Sequence, residues 1–423
     1  MKINRAYRVE LNPTPEQSEL FQRHADAARW AYNFGLGRKK EVLDLRKLPT
    51  LVSMKVPTAI DLHREVVVMK HTTHPWLTDV SKHVPQEALR DLDVAFKNFF
   101  REPRKVGFPQ FKSKKSPKRS FTLGGNCPTA PNLVVVEGRR VKLPFLGWVR
   151  VKHGDAKYVP VSGMKINSAT ISLTAGRWFL ALQVDVPAPV PKPVIGKPVV
   201  GIDLGVGVDN LLTISDGKKE ISIMNPRPLR RHEKKLALLQ RQLARKKDGS
   251  KRRQKAKEAV ARKHFKITNI RRDFTHKVTT WLARSTSAVG VEDLSVKAMM
   301  GSHQVAKSFA DASLSEVVRQ LEYKSAWNGV LFVKVDPAYT SQDCSNCRRR
   351  HPEMARRNGF ADTLKCECGT TLARDANASR NVRSLLLQSP EVIGRLKTPV
   401  ESGSLTSVSV EPLVEAGIGF SWS

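Results

Sequence analysis

The chain has 423 residues, enough for about two to four domains, and its hydrophobic content of 40% can build real cores. It carries 73 Lys and Arg against 39 Asp and Glu, a formal net charge of +34. Such an excess repels itself in a compact state, and nucleic acid both relieves the repulsion and releases counterions, so we expect a nucleic-acid partner. No run of about 18 apolar residues and no apolar signal core exists, so we expect no membrane partner and a cytoplasmic location.

The first hundred residues predict a strand followed by helices. Residues 5–11 alternate between apolar and polar side chains, as a half-buried strand does. Thr14 and Pro15 are typical of a helix N-cap and first turn. A second apolar stripe with helical spacing runs from about residue 85 to 100. We therefore predict a helical region over residues 13–101.

The next segment has a β-rich pattern. Runs at 133–136 and 169–173 predict strands, and together with the N-terminal strand they indicate a small barrel formed by residues 1–12 plus 102–193. The helical region is then an insertion into that barrel. The proline-rich residues 187–193 form a stiff linker and the strongest domain boundary.

A second domain follows the linker. Apolar runs at 199–204, 210–214 and 221–224 predict a three-stranded meander. A long helical hairpin is predicted over 228–285, with a break at 248–250.

The remaining elements define the order of this domain. Strands are predicted at 287–291 and 329–335, and a helix over about 375–387. The order of strands and helices is that of the ribonuclease H-like α/β fold, assigned to residues 194–339 plus 370–390. The last 33 residues, 391–423, are predicted to be a poorly ordered tail, because Lys and Arg are absent from residue 398 onward.

Three acids stand at the edges of apolar segments: Asp203 in Gly-Ile-Asp-Leu-Gly, Glu292 after a strand, and Asp375 at the last helix. Singly they have ordinary explanations: a turn-capping Asp, an exposed acid and a helix N-cap. The Asp203 motif also opens actin-like ATPases and sugar kinases, but those need a second glycine-rich phosphate loop, and we find none in the sequence.

Together the three acids predict a catalytic metal site. In a ribonuclease H-like core their positions converge on one edge, where three carboxylates are costly unless cations are present. Two Mg²⁺ ions, or Mn²⁺, about 4 Å apart would support in-line hydrolysis of a phosphodiester. Asp203 would bridge the ions, with Glu292 and Asp375 as flanking ligands. Asp293 would point away if the strand continues.

Four of the five cysteines predict a structural zinc site. Cys344 and Cys347 form one pair, and Cys366 and Cys368 a second pair with one intervening residue instead of two. Four thiolates suit tetrahedral Zn²⁺ and leave no open position for catalysis. The alternative is a set of reduced cysteines without metal. We assign residues 340–369 to a zinc-finger insertion.

Basic residues predict two surfaces that contact phosphate. The helical hairpin has too few acids to be an ordinary solvated face, and like charges at helical spacing repel. Phosphate contacts position a nucleic acid without reading its sequence. The candidates in the hairpin are Arg230, Arg231, Lys234, Arg241, Arg245, Lys246 and Arg252, and those in the preceding domain are Lys112, Lys114 and Lys115.

Several motifs make the chain similar to a known family over roughly residues 1–387. They are Leu11–Gln17, Gly107–Ser113, Gly201–Gly205, Arg272–Lys277, Tyr339–Cys347 and Arg374–Ala378. The chain resembles TnpB, the compact RNA-guided nuclease of bacterial insertion sequences that is related to type V CRISPR effectors. The family's acids fall on Asp203, Glu292 and Asp375, and its zinc ligands on the four clustered cysteines. Ala373 replaces an acid that the family often has there.

The resemblance implies an α/β multidomain protein: a wedge β-barrel with an inserted helical recognition lobe, then a RuvC-like nuclease domain with a zinc-finger insertion. It implies a guide RNA from the transposon end, recognition of a short flanking motif, and cleavage of both strands of double-stranded target DNA by a monomeric ribonucleoprotein. Lys82 and Gln86, four residues apart, are candidate DNA contacts. Some relatives act as guided repressors without cleavage; this chain keeps all three acids, so we expect an active nuclease.

Overall fold

The computed structural model describes residues 2–114, 116, 119–124, 133–158, 165–187, 196–205, 210–295, 303–354, 362–396 and 420–422. The chain divides into two compact units, Met1–Ala188 and Pro189–Ser423. Most of the predicted linker, residues 188–193, lies outside the described residues. Among the described helices, none has the length and apolar character needed to cross a membrane.

The first unit opens with a strand and three helices. Thr14 caps the first helix: its hydroxyl accepts from the N–H of Gln17, whose side chain accepts from the N–H of Thr14. This confirms the predicted N-cap, and the capping box explains why the helix begins at Pro15. The elements are β1 (Lys2–Asn12), α1 (Pro15–Leu45), α2 (Ala59–His71) and α3 (His83–Arg101).

The strands of this unit form one antiparallel sheet of order β2-β6-β7-β1-β5-β4-β3. Residues Lys2 to Glu10 of β1 pair with β7, while Leu11 and Asn12 pair with β5, so β1 joins the two halves of the sheet. The other strands are β2 (Arg119–Gly124), β3 (Val135–Glu137), β4 (Arg140–Leu143), β5 (Gly147–Val151), β6 (Ile166–Thr174) and β7 (Arg177–Pro187).

The predicted barrel is corrected to an open sheet. Within the described ranges, the edge strands β2 and β3 do not pair with each other. Apolar alternation predicts that a segment is a strand and which face it buries, but it carries no information on whether two edges meet.

The helices and the sheet share a single core. Phe21 and Leu36 of α1, and Leu92 of α3, are buried together with Phe121 and Leu180 of the sheet. The sequence predicts that residues 13–101 are helices inserted into the strand-rich segment. The contiguous core shows that the helices cover the sheet and bury its apolar face.

The second unit contains a six-stranded mixed sheet of order β12-β11-β8-β9-β10-β15. Strands β8 to β10 are the predicted antiparallel meander, and β11 and β12 lie parallel to β8 on its other side. Its strands are β8 (Val199–Leu204), β9 (Leu212–Ser215), β10 (Glu220–Ile223), β11 (Ala288–Glu292), β12 (Leu331–Val335) and β15 (Phe420–Trp422).

The helices of this unit follow the predicted order. The predicted hairpin is present as α4 and α5, with its break at residues 245–250. The elements are α4 (Pro228–Ala244), α5 (Lys251–Ser285), α6 (His303–Ala312), α7 (Leu314–Asn328), α8 (Arg374–Gln388) and α9 (Pro390–Leu396), with the small hairpin β13 (Thr363–Lys365) and β14 (Thr371–Ala373).

The tail, predicted to be poorly ordered from residue 391, contains two regular elements. Helix α9 buries Val392 in a small cluster with Ala288 and Leu386. Strand β15, at the far end of the tail, pairs antiparallel with β10. The lack of Lys and Arg carries no information on strand pairing, whereas aromatic residues such as Phe420 and Trp422 favour strands. Residues 397–419 lie outside the described ranges.

Candidate functional site

Helix α8 lies directly against strand β8 because Gly201 has no side chain. A Cβ at Gly201 would lie 2.2 Å from the carbonyl oxygen of Ser379 and 2.3 Å from the backbone nitrogen of Arg383. The Arg383 guanidinium donates to the carbonyl oxygen of Val199 over 3.0 Å. The later part of α8 therefore faces the beginning of β8, and the first turn of α8 faces the end of β8.

Asp203 and Asp375 approach each other across this contact. Asp203 follows Gly201 by two residues, so its side chain leaves β8 on the face that α8 covers. Asp375 lies in the first turn of α8, one turn before Ser379 and on the same side of the helix. The Asp375 Oδ2 accepts a hydrogen bond of 2.8 Å from the Nδ2 of Asn210.

Glu292 joins them from the neighbouring strand. Val291 pairs with Ile202 in parallel register, so Glu292 and Asp203 occupy the next positions on strands about 4.8 Å apart. Glu292 is only 8% exposed, and its Oε1 accepts a hydrogen bond from the hydroxyl of Thr340. All three predicted acids therefore lie at one end of β8 and β11.

The three carboxylates lie at this edge, but their oxygen atoms are not all in mutual contact. Across the described part of the chain, only the cysteines place three or more His, Cys, Asp or Glu ligand atoms within 4.8 Å of one another. Carboxylates that share a site repel one another, and a cation between them relieves the repulsion. Carboxylate oxygens are ligands suited to Mg²⁺ or Mn²⁺, and the donor set of this edge fits such ions.

The four cysteines predicted as zinc ligands meet at one point. Their Sγ atoms all lie within 4.8 Å of one another. The Sγ–Sγ distance is 3.7 Å between Cys344 and Cys368, and 3.4 Å between Cys347 and Cys366. A tetrahedron with Zn–S bonds of about 2.3 Å has edges of about 3.8 Å. The type, number and spacing of the donors therefore fit Zn²⁺.

The turn after the second cysteine pair accommodates its short spacing. Gly369 has a φ of +87°, a conformation that L side chains rarely adopt, and its N–H donates to the carbonyl of Cys366 over 2.9 Å. Hydrogen bonds from the hydroxyl and the backbone N–H of Thr370 lower the pKa of the Cys368 thiol to about 5. The thiolate is the form that binds metal, so these hydrogen bonds favour the form of Cys368 that a metal needs.

The basic hairpin presents its candidate phosphate contacts to solvent. Arg253, by contrast, holds the turn between the two helices, because its guanidinium donates to the carbonyl of Lys246 over 2.8 Å and lies 2.7 Å from the carboxylate of Asp248. Exposed residues of the hairpin are Arg230, Arg231, Lys234, Arg241, Arg245, Lys246 and Arg252. This surface can accept an anionic backbone along much of its length.

The candidates in the first unit are placed differently. Lys82 is the exposed N-cap of α3, and Gln86 lies one turn later on the same side. The Lys112 ammonium lies 3.8 Å from the centre of the Tyr32 ring, so its charge is directed at α1. Lys114 is exposed, and Lys115 falls outside the described residues.

Four polar residues support the acids and the cysteines, and none of them is among the predicted site residues. These are Asn210, Thr340, Asn377 and Asn381, of which Asn377 and Asn381 are buried in α8. The sequence contains a partial signal for two of them, because Asn377 and Asn381 are four residues apart and interrupt the apolar stripe of a helix. Their partners come from distant segments, and no local pattern identifies those.

Three family profiles match the chain: "Probable transposase" of the OrfB type of IS605 over residues 181–303, "Cas12f1-like, TNB domain" over 315–382, and "Helix-turn-helix domain" over 1–47. The last match covers β1 and α1, where the structure has a strand and one continuous helix of 31 residues.

Relatives match almost the whole length. "Putative RNA-guided DNA endonuclease InsQ" of Escherichia coli (strain K12) is 32% identical over 402 residues, which cover 90% of this chain and 92% of the relative. A "Putative RNA-guided DNA endonuclease" of Streptomyces pristinaespiralis is 32% identical over 389 residues, or 90% and 89% of the two chains. The solved "Cas12f1-sgRNA-target DNA complex" has a similar fold, with a TM-score of 0.51 at 14% identity, covering 92% of this chain and 99% of the other.

Identity at this level over about nine-tenths of both chains places the protein in the class of insertion-sequence proteins that the IS605 OrfB profile describes. The chain belongs to the TnpB family.

Proposed function

We propose that this protein is an RNA-guided DNA endonuclease that cleaves target DNA at the edge formed by Asp203, Glu292 and Asp375. The observation that carries the proposal is the direct contact of α8 with β8 at Gly201, which brings an acid from a helix beside acids from two adjacent strands. The relatives named as RNA-guided DNA endonucleases support the same activity.

The acidic edge would hold two Mg²⁺ or Mn²⁺ ions. When bound, such ions supply Lewis-acid stabilisation and activation of water for phosphodiester hydrolysis. Asp203 would serve both ions, and Glu292 and Asp375 would be the flanking ligands. Asn210 and Thr340 each donate to one carboxylate oxygen and so orient Asp375 and Glu292. The four cysteines would hold a structural Zn²⁺.

The proposed domain roles follow from this assignment. The unit with the mixed sheet would be the ribonuclease H-like (RuvC) nuclease domain, with residues 340–369 as its zinc finger. The first unit would combine the wedge and the recognition lobe, and Lys82 and Gln86 on α3 are proposed contacts to the flanking motif.

The excess positive charge supports guide RNA and DNA as partners. Seven exposed cations on the α4–α5 hairpin can neutralise phosphates and release counterions. Sequence would be read by base pairing with the guide, since phosphate contacts carry no sequence information. The proposed assembly is a monomeric ribonucleoprotein in the cytoplasm.

The test begins with sequencing of the RNA that copurifies with the protein, because this RNA defines a matched duplex. Asp203→Asn, Glu292→Gln and Asp375→Asn each keep side-chain shape and remove a charge. We expect all three to bind the duplex and lose cleavage with Mg²⁺. Asp293→Asn, at the exposed neighbour of Glu292, is the matched control and should cleave normally. Equal cleavage by wild type and Asp203→Asn would refute the proposal; binding without cleavage by the wild type would identify a guided repressor.

A further inference from the structure

A hydroxyl outside the three acids holds one of them. Thr340 is 5% exposed and donates through Oγ1 to the Oε1 of Glu292. The same hydroxyl lies 3.1 Å from the carbonyl oxygen of Pro337. A carboxylate has two oxygens with several lone pairs, so this bond fixes the orientation of Glu292 and leaves capacity for a cation.

The segment that carries Thr340 is clamped by helix α8. The Nδ2 of Asn381, 2% exposed, donates to the carbonyl of Thr340 over 2.8 Å and to that of Asp343 over 2.6 Å. Thr340 is therefore held through its backbone by the helix that also carries Asp375.

A second amide holds the adjoining cysteine. Asn377 is fully buried; its Nδ2 donates to the carbonyl of Asp343 over 2.9 Å, and its Oδ1 accepts from the N–H of Ser345 over 2.8 Å. These two bonds flank Cys344, the first thiolate of the cysteine cluster. One helix therefore fixes the segment on both sides of a zinc ligand and beside the residue that contacts Glu292.

We infer that Thr340 is a positioning residue that orients the Glu292 carboxylate for metal binding, and that Asn381 of α8 holds the backbone of Thr340 in place. The inference rests on the proposed nuclease function, because it assigns Glu292 as a metal ligand. Loss of the hydroxyl removes one of the contacts that orient the Glu292 side chain, so metal binding weakens while the fold persists.

The test compares Thr340→Val, which removes the hydroxyl at nearly constant shape, with Thr340→Ser, which retains it. The primary readout is the dissociation constant of Mn²⁺, measured by calorimetry on the RNA-bound protein without DNA. We expect Thr340→Val to weaken the Mn²⁺ affinity and to raise the Mg²⁺ concentration for half-maximal cleavage, each about tenfold, as loss of an outer-shell partner typically does. Thr340→Ser should stay within about twofold of wild type.

The matched control is Thr275→Val, a buried threonine on α5 whose hydroxyl donates to the Arg271 carbonyl. It removes the same atom from the same unit and should leave the Mn²⁺ affinity unchanged. Should Thr340→Val fail to fold, Thr340→Ala and Thr340→Ser give the same comparison, because both lack the methyl group and differ in the hydroxyl.

The results distinguish a failure of the role of Thr340 from a failure of the proposed nuclease function. Wild-type Mn²⁺ affinity in folded Thr340→Val, with Asp203→Asn inactive, overturns the role of Thr340 alone. A tenfold loss restored by serine supports it. Wild-type cleavage by Asp203→Asn overturns the nuclease function as well.

Discussion

Gly201 on β8 and Ser379 on α8 are in such close contact that a Cβ on the glycine would lie 2.2 Å from the carbonyl oxygen of the serine. The obstacle is backbone and cannot rotate away. Because Asp203 and Asp375 lie two and four residues from this contact, it sets how closely the two acids approach.

Gly201→Ala should therefore separate α8 from β8. We expect a loss of about 2–3 kcal/mol in the free energy of unfolding, the scale of overpacking in a core, together with loss of cleavage. Denaturant unfolding and a cleavage assay measure the two effects. Gly394→Ala in α9 is the control, since nothing lies within 4 Å of its Cβ position. Unchanged cleavage in Gly201→Ala would show that the contact does not position the acids.

Elemental analysis should find about one zinc per chain, since four thiolates at tetrahedral spacing fill one site. Cys344→Ser should lower both the zinc content and the melting temperature, because Cys344 is buried and flanked by the Asn377 clamp. Cys127→Ser, at the one cysteine outside the cluster, should retain the metal. A zinc content near zero in active wild-type protein would contradict the assignment.

The first unit should lose stability as the pH falls below about 6.5. His24 is fully buried; its Nδ1 lies 2.8 Å from the Leu20 carbonyl, and its Nε2 accepts from the N–H of Ser81 over 3.1 Å. Burial lowers the pKa of His24, although the Leu20 carbonyl acts in the opposite direction. Below pH 6.5 the unfolded chain therefore takes up a proton that the folded chain does not. The free energy of unfolding then decreases by at most about 1.4 kcal/mol per pH unit.

His24→Gln should make the melting temperature depend less on pH between 7.5 and 5.5, because an amide does not titrate. His153→Gln, at an exposed histidine of the same unit, serves as the control and should keep the wild-type dependence. Identical pH profiles for wild type and His24→Gln would show that His24 does not contribute.

The hairpin should contribute directly to the salt dependence of RNA binding. Replacing Arg241, Arg245 and Lys246 by Gln should weaken binding and reduce the slope of log K against log salt by about 2, if each contacts one phosphate of single-stranded RNA. The measurement is a titration at several salt concentrations.

A control with the same change in charge uses cations already paired with acids. Lys277, Lys307 and Arg319 form ion pairs with Asp273, Glu233 and Glu316. Replacing these three by Gln should change the slope much less. Equal effects of the two triple variants would mean that the hairpin acts through net charge alone.

Local patterns identified most of the elements and the three acids. The apolar run before Asp203, the strand before Glu292 and the helix after Asp375 are visible in sequence because strand and helix periodicities are local. The same holds for the Thr14 cap. The roles of the acids remain predictions.

Features that depend on distant contacts were missed or wrong. The hydroxyl of Thr340 reaches Glu292 across 48 positions, and Asn210 reaches Asp375 across 165. The contact of the Lys112 ammonium with the ring of Tyr32 joins residues 80 positions apart, and the phosphate contacts of the lysine-rich loop stay a prediction. Such pairings are set by the assembled fold, so the sequence pattern around either partner does not contain them.

The pairing of β1 with β7 has a consequence for synthesis on the ribosome. Lys2 pairs with Pro187, so the first strand of the chain must wait for the last strand of its unit. At about 5–20 residues per second, that interval is on the order of ten seconds or more. Helices α1 to α3 rely on local contacts and emerge long before β7. The edge of β1 that pairs with β7 therefore stays unpaired in the nascent chain for that time. Helices that form early can cover the apolar face of β1 during this interval.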